Sequence, residues 1–248
     1  EDSNLTEDVK EFIRGFKTLS KNISFVFIKK DSIFLAPFRL FIIFPHEHLS
    51  ISNEVLLESY EELLSLDKGK LLKGQISLTS RVVDEPFHLV CTHGKRDKCC
   101  AKFGFETFKR MAELSTDNVW QCSHVGSDRF AANVVSFPHG IYYGHVSPSD
   151  AEEIIDATTR QNVVLKNYRG RSCYSRQGQV AEYFIRKEWA IFGIKDLTLD
   201  DIGELEPNLW AARMRHLPSS KSFEVVFSKS TSSTNNFLTC RAGVQKPV

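Results

Sequence analysis

Long apolar runs are missing from this 248-residue chain. No stretch of 18 apolar residues occurs, so the sequence predicts no membrane-spanning helix. Residues 1 to 22 lack the charged start and apolar middle of a secretory signal. The formal net charge is only +1, so no strong field directs the protein to nucleic acid or acidic lipid. We therefore expect a cytoplasmic protein with neither a membrane nor a nucleic acid as partner.

Cysteine is scarce, and its six copies are unevenly spread. Four of them fall within 32 residues: Cys91, Cys99, Cys100 and Cys122. Six cysteines are too few for a disulfide scaffold, and clustering without a secretory signal favours metal or redox chemistry. No Cys-x-x-Cys pair occurs, which argues against a thioredoxin-type dithiol and against a zinc finger. The outlying Cys173 and Cys240 are predicted to be packed thiols.

The first third of the chain shows no chemistry-bearing motif. The whole chain is 42% hydrophobic and 25% charged, which is typical of globular proteins. Thr6 can cap a first helix, and "ISFVFIKK" (23–30) and "FRLFIIF" (38–44) have the β-branched and aromatic content of strands. A second helix is predicted to begin at Ser52, with Leu56 and Leu63 on one face.

From residue 84 the elements alternate. Strands are predicted at 87–91 and 118–122, with a helix at 98–114 between them. Two further strands form a hairpin around "PHG" (138–140), and Ser147 and Pro148 begin another helix. The order β-α-β-β-β-α fits a thioredoxin-like layout, in which helices cover a sheet.

The remaining pattern predicts one long helix and three strands. The helix spans about 175–192, and the strands lie at 209–214, 223–227 and 237–240. We therefore expect an α/β fold with three parts: an N-terminal α/β segment (1–83), a thioredoxin-like domain (84–195) and a C-terminal β segment (196–248). The last part is expected to pack with the first, as a second α/β unit.

The segment "CTHGKRDKCC" (91–100) places Cys91 at a strand end and Cys100 at a helix start. A thiolate near a helix N-terminus is stabilised by the helix dipole and by free amide donors, so one of these thiols should ionise readily. The eight residues between the two cysteines suit a loop that wraps an iron–sulfur cluster. Buried structural cysteines are the plain alternative.

The segment "CSHVGSDRF" (122–130) offers three metal donors, namely Cys122, His124 and Asp128. Considered alone, it is as consistent with a surface hydrogen-bonded pair as with a metal site. Its position after a strand is the same as that of the first cysteine loop.

Together with "YRGRSCYSRQGQVAEYFIR" (168–186), these segments resemble the sucrase/ferredoxin-like family. Its members are similar to thioredoxin-like [2Fe-2S] ferredoxins, in which two cysteines lie around the first loop and helix. Two more lie in a Cys-x3-Cys loop, which is followed by a Pro-x-Gly-x-x-Tyr turn. The turn corresponds here to Pro138, Gly140 and Tyr143.

The resemblance implies a ligand set. Arg96 and Asp97 match an Arg-Asp pair of the family, a register that makes Cys91 and Cys100 the first two ligands and Cys99 a non-ligand. The second loop puts His124 and Asp128 where the ferredoxins have cysteines. Fungal members resemble this with His at both places, so Asp128 departs from the pattern and Cys122 is the alternative fourth ligand.

The resemblance implies an electron-transfer protein carrying a [2Fe-2S] cluster, with a redox partner protein or a small-molecule electron acceptor. Two alternatives stay open: a thiol-dependent reductase or peroxidase using Cys99 or Cys100, and a zinc-stabilised binding module. No pair of carboxylates suggests glycosidase chemistry. Arg169 and Arg171 are candidates for binding an anion or docking a partner, although an exposed turn is the plainer interpretation.

Overall fold

The structure is a computed structural model that describes residues 5–20, 23–30, 36–231, 235–236 and 246–247. Its centre is a six-stranded sheet of order β1-β6-β5-β7-β8-β9. The strands of this sheet are β1 (Ile28–Lys29), β5 (Phe87–Cys91), β6 (Val119–Cys122), β7 (Val134–Phe137), β8 (Ile141–Tyr143) and β9 (Tyr168–Arg171). Neighbouring strands are antiparallel except β5 and β6, which run parallel.

Two smaller sheets flank the central one. They are formed by β2 (Phe38–Phe44), β3 (Ile51–Leu57) and β4 (Arg81–Val82), and by β10 (Leu197–Glu206), β11 (Leu209–His216) and β12 (Lys221–Ser228). A short pair, β13 (Asn235–Asn236) and β14 (Lys246–Pro247), is also present. The helices are α1 (Glu7–Leu19), α2 (Lys68–Leu72), α3 (Lys98–Leu114), α4 (Ala151–Thr159) and α5 (Arg176–Trp189).

The central part confirms the predicted α/β order, β5-α3-β6-β7-β8-α4. Side chains alternate across β5, so that Val90 faces Phe108 and Ile154 of the helices. Leu89 on the other face packs in the cluster that includes Phe41 of β2. Helices therefore cover one face of the sheet, and β2 covers part of the other.

Local sequence sets where α3 and the segment leading into α4 begin. The carboxylate of Asp97 accepts a hydrogen bond of 2.8 Å from the backbone N–H of Cys99, which caps α3. The Ser-Pro pattern predicted that Ser147 caps a helix whose first residue is Pro148, and Ser147 and Asp150 form a capping box there, at a 3₁₀ turn that leads into α4. The first cap fixes the helix start that carries Cys100.

The prediction of a helix that begins at Ser52 is wrong. That segment is strand β3, paired over its length with β2, and a short 3₁₀ helix follows at Tyr60–Ser65. Two buried positions of β3 carry polar residues, Ser52 and Glu54. Glu54 can be buried because it pairs with Arg39 at 3.3 Å and Arg81 at 2.6 Å.

The three-stranded sheet β10-β11-β12 packs against α5 through Leu197, Met214 and Ile185. Strands β11 and β12 were predicted, and β10 was not. The third predicted strand, 237–240, and Cys240 lie outside the described residues. The carboxylate of Glu47 accepts hydrogen bonds from Thr198 and Leu199, which links the segment before residue 83 to β10. The domain boundaries themselves stay a prediction.

Arg171 lies inside the molecule, with no exposed surface. Its guanidinium pairs with Glu182 at 2.8 Å and donates to the carbonyls of Glu47 and Leu197, both at 3.0 Å. Those donors are therefore occupied by protein acceptors from three parts of the chain. Arg171 is not available at the surface for an anion or a partner, contrary to the role suggested for it by the sequence.

Glu182 is the shared acceptor of two buried cations, Arg171 and Arg186. We expect Glu182→Ala to lower the free energy of unfolding by about 3–5 kcal/mol, because it leaves two buried guanidinium groups without their carboxylate. Urea unfolding measures this. The matched control is Glu188→Ala, an exposed position on the same helix, for which we expect a change within about 0.5 kcal/mol. Equal unfolding midpoints for the two variants would contradict the prediction.

Among the residues that the structure describes, no helix is both long and apolar enough to cross a membrane.

Candidate metal centre

Cys91 and Cys100 lie at one end of the central sheet, where β5 ends and α3 begins. Both side chains are fully buried. The donor atoms of Cys91, Cys100 and His124 all lie within 4.8 Å of one another. The sequence prediction that these three residues lie together is therefore consistent with the structure, and the chain has a group of the size that a metal centre needs.

A close approach of α3 to β5 brings the two cysteines together. Gly104 lies one helical turn after Cys100, and a Cβ atom at this position would collide with the backbone carbonyl oxygen of Cys91. Only glycine allows this approach. Gly94, in the loop between the cysteines, is similarly close to Ala101 of α3. A Cβ added at Gly94 would lie 2.8 Å from the alanine Cβ.

We expect Gly104→Ala to lower the free energy of unfolding by about 1–3 kcal/mol, because the added methyl pushes α3 away from β5. The gain in helix propensity, about 1 kcal/mol, does not offset this. Bound metal per chain should fall with stability, since Cys91 and Cys100 move apart. Gly203→Ala is the control, because a Cβ at that position meets no atom within 4 Å. Thermal unfolding and metal analysis of both variants test the expectation, which fails if the two behave alike.

His124 and Asp128 face the cysteines from the loop after β6. The Nδ1 atom of His124 lies 3.1 Å from Oδ1 of Asp128, and the same oxygen lies 3.9 Å from Sγ of Cys100. Nδ1 of His124 is buried and makes no hydrogen bond within the described part of the chain. The neighbour of this nitrogen is the Asp128 carboxylate, and a ring nitrogen in that position can either donate to the carboxylate or bind a metal ion.

The loop takes this shape through an unusual backbone. Gly126 has φ +94° and Ser127 has φ 58°, both in the left-handed region. Asp128 then begins a short 3₁₀ helix, Asp128–Phe130. The side-chain amide of Asn133 donates a hydrogen bond of 3.3 Å to the backbone carbonyl of Ser127. The backbone carbonyl of Asn133 accepts a hydrogen bond of 3.0 Å from the backbone N–H of Cys91. Asn133 therefore links the two halves of the site.

His93 is a site residue that the sequence reasoning missed. Its Nδ1 accepts a hydrogen bond of 3.2 Å from the backbone N–H of His124, so it joins the first loop to the second. The backbone N–H of His93 in turn interacts with the Cys91 thiol. The available signal was its place two residues after Cys91, in a loop already assigned to the centre.

The pKa values of the Cys91 and Cys100 thiols are shifted in opposite directions. A hydrogen bond from Cys100, helped by the backbone N–H groups of His93 and Val125, lowers the pKa of Cys91. The hydrogen bond to Cys91, burial and the nearby negative charges raise the pKa of Cys100. The surroundings therefore favour ionisation of Cys91 over Cys100, because backbone amide donors stabilise negative charge on the Cys91 sulfur.

Cys122 is adjacent to this group but outside it. It is the parallel-strand partner of Cys91 and is buried against the apolar cluster that contains Trp120 and Val135. Burial, and the charge of Cys91, raise the pKa of Cys122, so it is a neutral thiol. Within the described residues, the donor atoms that lie mutually within 4.8 Å include neither its sulfur nor a carboxylate oxygen of Asp128.

The other cysteines and the second arginine have different surroundings. Cys99 is disulfide-bonded, and Cys173 is a half-buried free thiol. Arg169 donates a hydrogen bond of 2.7 Å to the side-chain carbonyl oxygen of Asn133. Its guanidinium also stacks over Phe130, 4.3 Å from the ring centre. Unlike Arg171, it is partly exposed and borders the site loop through Asn133.

Two solved structures of thioredoxin-like [2Fe-2S] ferredoxin from Aquifex aeolicus are similar to part of this chain. One has 19% sequence identity and a TM-score of 0.33, and the match covers 36% of this chain and 94% of the ferredoxin. The other, of the wild type at 1.5 Å, has 21% identity and a TM-score of 0.28, with 32% and 88% covered.

Two yeast relatives share the name "Altered inheritance of mitochondria protein 32". The Meyerozyma guilliermondii protein is 29% identical over 157 residues, which span 56% of each chain. The Debaryomyces hansenii protein is 32% identical over 110 residues, which span 40% of each. The matched parts thus cover about half the length of these curated relatives. The sucrase/ferredoxin-like family model matches residues 3–170, well over half of the sequence and including every residue of the candidate centre. The chain therefore belongs to the sucrase/ferredoxin-like family.

Proposed function

We propose that this protein transfers electrons through a [2Fe-2S] cluster held by Cys91, Cys100, His124 and Asp128. The observation that carries the proposal is the convergence of two buried thiols and one imidazole within 4.8 Å, at the ends of two neighbouring parallel strands. The Asp128 carboxylate, in contact with His124 and Cys100, provides a fourth donor. Membership of the sucrase/ferredoxin-like family supports the same assignment.

The chain supplies both soft and harder donors. Thiolates are the usual ligands of iron–sulfur clusters, and imidazole replaces them in Rieske centres. The low pKa of Cys91 and the position of His124 Nδ1 beside Asp128 suit metal binding, which requires deprotonated ligands and would release the remaining thiol proton. When bound, a [2Fe-2S] cluster supplies a site that takes up and releases one electron.

The surroundings determine where the electron would leave. Cys91 and Cys100 have no exposed surface, whereas the His124 side chain is 21% exposed. The His124 edge is therefore the place where a partner can come closest to the centre. Amide donors from His93 and Val125 interact with the Cys91 sulfur and stabilise negative charge there.

The visible spectrum of the purified protein tests the proposal. We expect a red-brown protein with two iron and two acid-labile sulfide per chain, whose colour bleaches on one-electron reduction. Metal analysis of the same sample is the control for metal identity. A colourless protein with one zinc per chain would overturn the proposal.

A zinc-stabilised binding module is the second candidate, because two thiols, an imidazole and a carboxylate also suit tetrahedral zinc. A thiol enzyme using Cys99 or Cys100 has less support. Cys99 is disulfide-bonded, and Cys100 is buried with a raised pKa, the opposite of an activated nucleophile. A colourless, metal-free protein with one rapidly alkylated thiol would favour the enzyme.

We also propose a cytoplasmic location, a redox partner that is a protein or a small molecule, and no nucleic-acid or membrane partner. The near-neutral net charge supports the last point. Fractionation of cells that express the protein tests the location, and recovery with a membrane or organelle pellet would contradict it.

A further inference from the structure

We propose that a cavity beside the metal centre binds a small organic anion, a molecule with a phosphate or carboxylate group and an apolar body. The cavity has a volume of about 750 Å³ and lies between the loop after β6 and the start of α5. A volume of this size is in the range of small-molecule sites. Arg169 and Arg176 line it, with the hydroxyl-bearing Ser172 and Ser175, and no aspartate or glutamate is among its lining residues.

Neither arginine has its guanidinium charge neutralised by a carboxylate among the described residues. Among the described residues, the only side-chain hydrogen bond of Arg169 is its donation to Asn133. The guanidinium of Arg176 forms no hydrogen bond with these residues. Neither forms an ion pair with a carboxylate of the described chain. Burial lowers the pKa of Arg169, which shows that its charge is held in a partly desolvated place without a counter-ion. A planar guanidinium with free donors is suited to two-point contact with phosphate or carboxylate.

The apolar part of the ligand follows from a second cavity. Its volume is about 280 Å³, and it shares Ser24, Pro45, Tyr142 and Ser172 with the first, so the two adjoin. Its other lining residues are mainly apolar, including Phe41, Phe87 and Phe137. A molecule that pairs its anionic group with the arginines can therefore extend its body toward aromatic rings, where burial of apolar surface is favourable.

The cavity reaches the proposed cluster through Val125. This residue lines the cavity, and its backbone N–H interacts with the Cys91 thiol. A bound molecule would thus lie one residue from two ligands of the centre, the position expected of a small-molecule electron acceptor or donor. That redox role rests on the proposed function, whereas the binding itself does not, since none of the four proposed ligands lines the cavity.

Calorimetric titration of the full chain with 1-naphthyl phosphate tests the site, with 1-naphthol and inorganic phosphate as partial ligands. We expect naphthyl phosphate to bind at least about tenfold more tightly than either fragment, because only the whole probe uses both cavities. Arg176→Gln should weaken its binding by about tenfold or more, through the lost charge-assisted contact. The Arg176 side chain is exposed and forms no hydrogen bond or ion pair among the described residues, so this variant should fold normally. Arg169→Gln should weaken binding similarly, at some cost in stability.

Arg213→Gln is the matched control, an exposed arginine on β11 with no ion pair among the described residues, and its binding should equal that of the unaltered chain. Equal affinities for naphthol and naphthyl phosphate, or equal affinities of Arg176→Gln and Arg213→Gln, would overturn the proposal.

Vesicles of phosphatidylcholine with phosphatidic acid separate a lipid headgroup from a free molecule. Vesicle binding that depends on Arg176 would overturn the small-molecule assignment. Iron and sulfide analysis of the same sample tests the cluster separately.

Discussion

Cys91→Ser and Cys100→Ser are each expected to yield protein without bound iron and without visible absorption above the protein band. Both sulfurs belong to the group of donors that lie within 4.8 Å of one another, and both are wholly buried. A serine hydroxyl is a harder, poorly ionised donor, and no other side chain among the described residues replaces a lost thiolate in that group. Each substitution should reduce iron per chain by about tenfold or more.

Two cysteine substitutions serve as controls for this result. Cys173→Ser alters a free, half-buried thiol that is not one of the clustered donors and should leave the iron content unchanged. Cys99→Ser removes a sulfur that is already disulfide-bonded, so it should change stability rather than iron content. Loss of iron from Cys99→Ser, with iron retained in Cys100→Ser, would reverse the assignment of the second ligand.

The first half of the site could be predicted from local sequence because its geometry is local. Cys91 ends a strand of five buried residues, and α3 begins at Lys98 behind the capping Asp97. Both features follow from patterns that short-range physics produces, hydrophobic runs and a capping side chain. The predicted helix limits, 98–114, agree with α3 for the same reason.

Other parts depend on contacts that local patterns do not contain. The spacing of Leu56 and Leu63 suggested a helix from Ser52, but the segment is a strand, in which the buried Glu54 pairs with Arg39 and Arg81. Arg171 looked like a surface cation for a similar reason. Its buried partner Glu182 lies on the next helix, and two of its other acceptors come from Glu47 and Leu197.

Asp128→Cys is expected to give a more stable centre with a lower reduction potential. Thiolate is a softer and stronger electron donor to iron than carboxylate, so it stabilises the oxidised cluster. The potential should fall by on the order of 100 mV, by analogy with the difference that His-for-Cys replacement makes in Rieske centres. Loss of iron to a chelator should slow by about tenfold. Voltammetry and the absorbance decay in chelator measure the two effects.

Cys122→Ser is the comparison that decides between the two candidate fourth ligands. Asp128 is favoured by position, since its Oδ1 lies 3.1 Å from His124 Nδ1 and 3.9 Å from Cys100 Sγ. Cys122 faces the same side as Cys91, but its pKa is raised by burial among apolar side chains, which opposes formation of the thiolate that a ligand needs. Cys122→Ser should therefore keep the visible spectrum while losing some stability, because a hydroxyl replaces a packed thiol. If it bleaches the protein while Asp128→Ala stays coloured, Cys122 is the ligand, and the role of Asp128 is to accept a hydrogen bond from His124 beside the cluster.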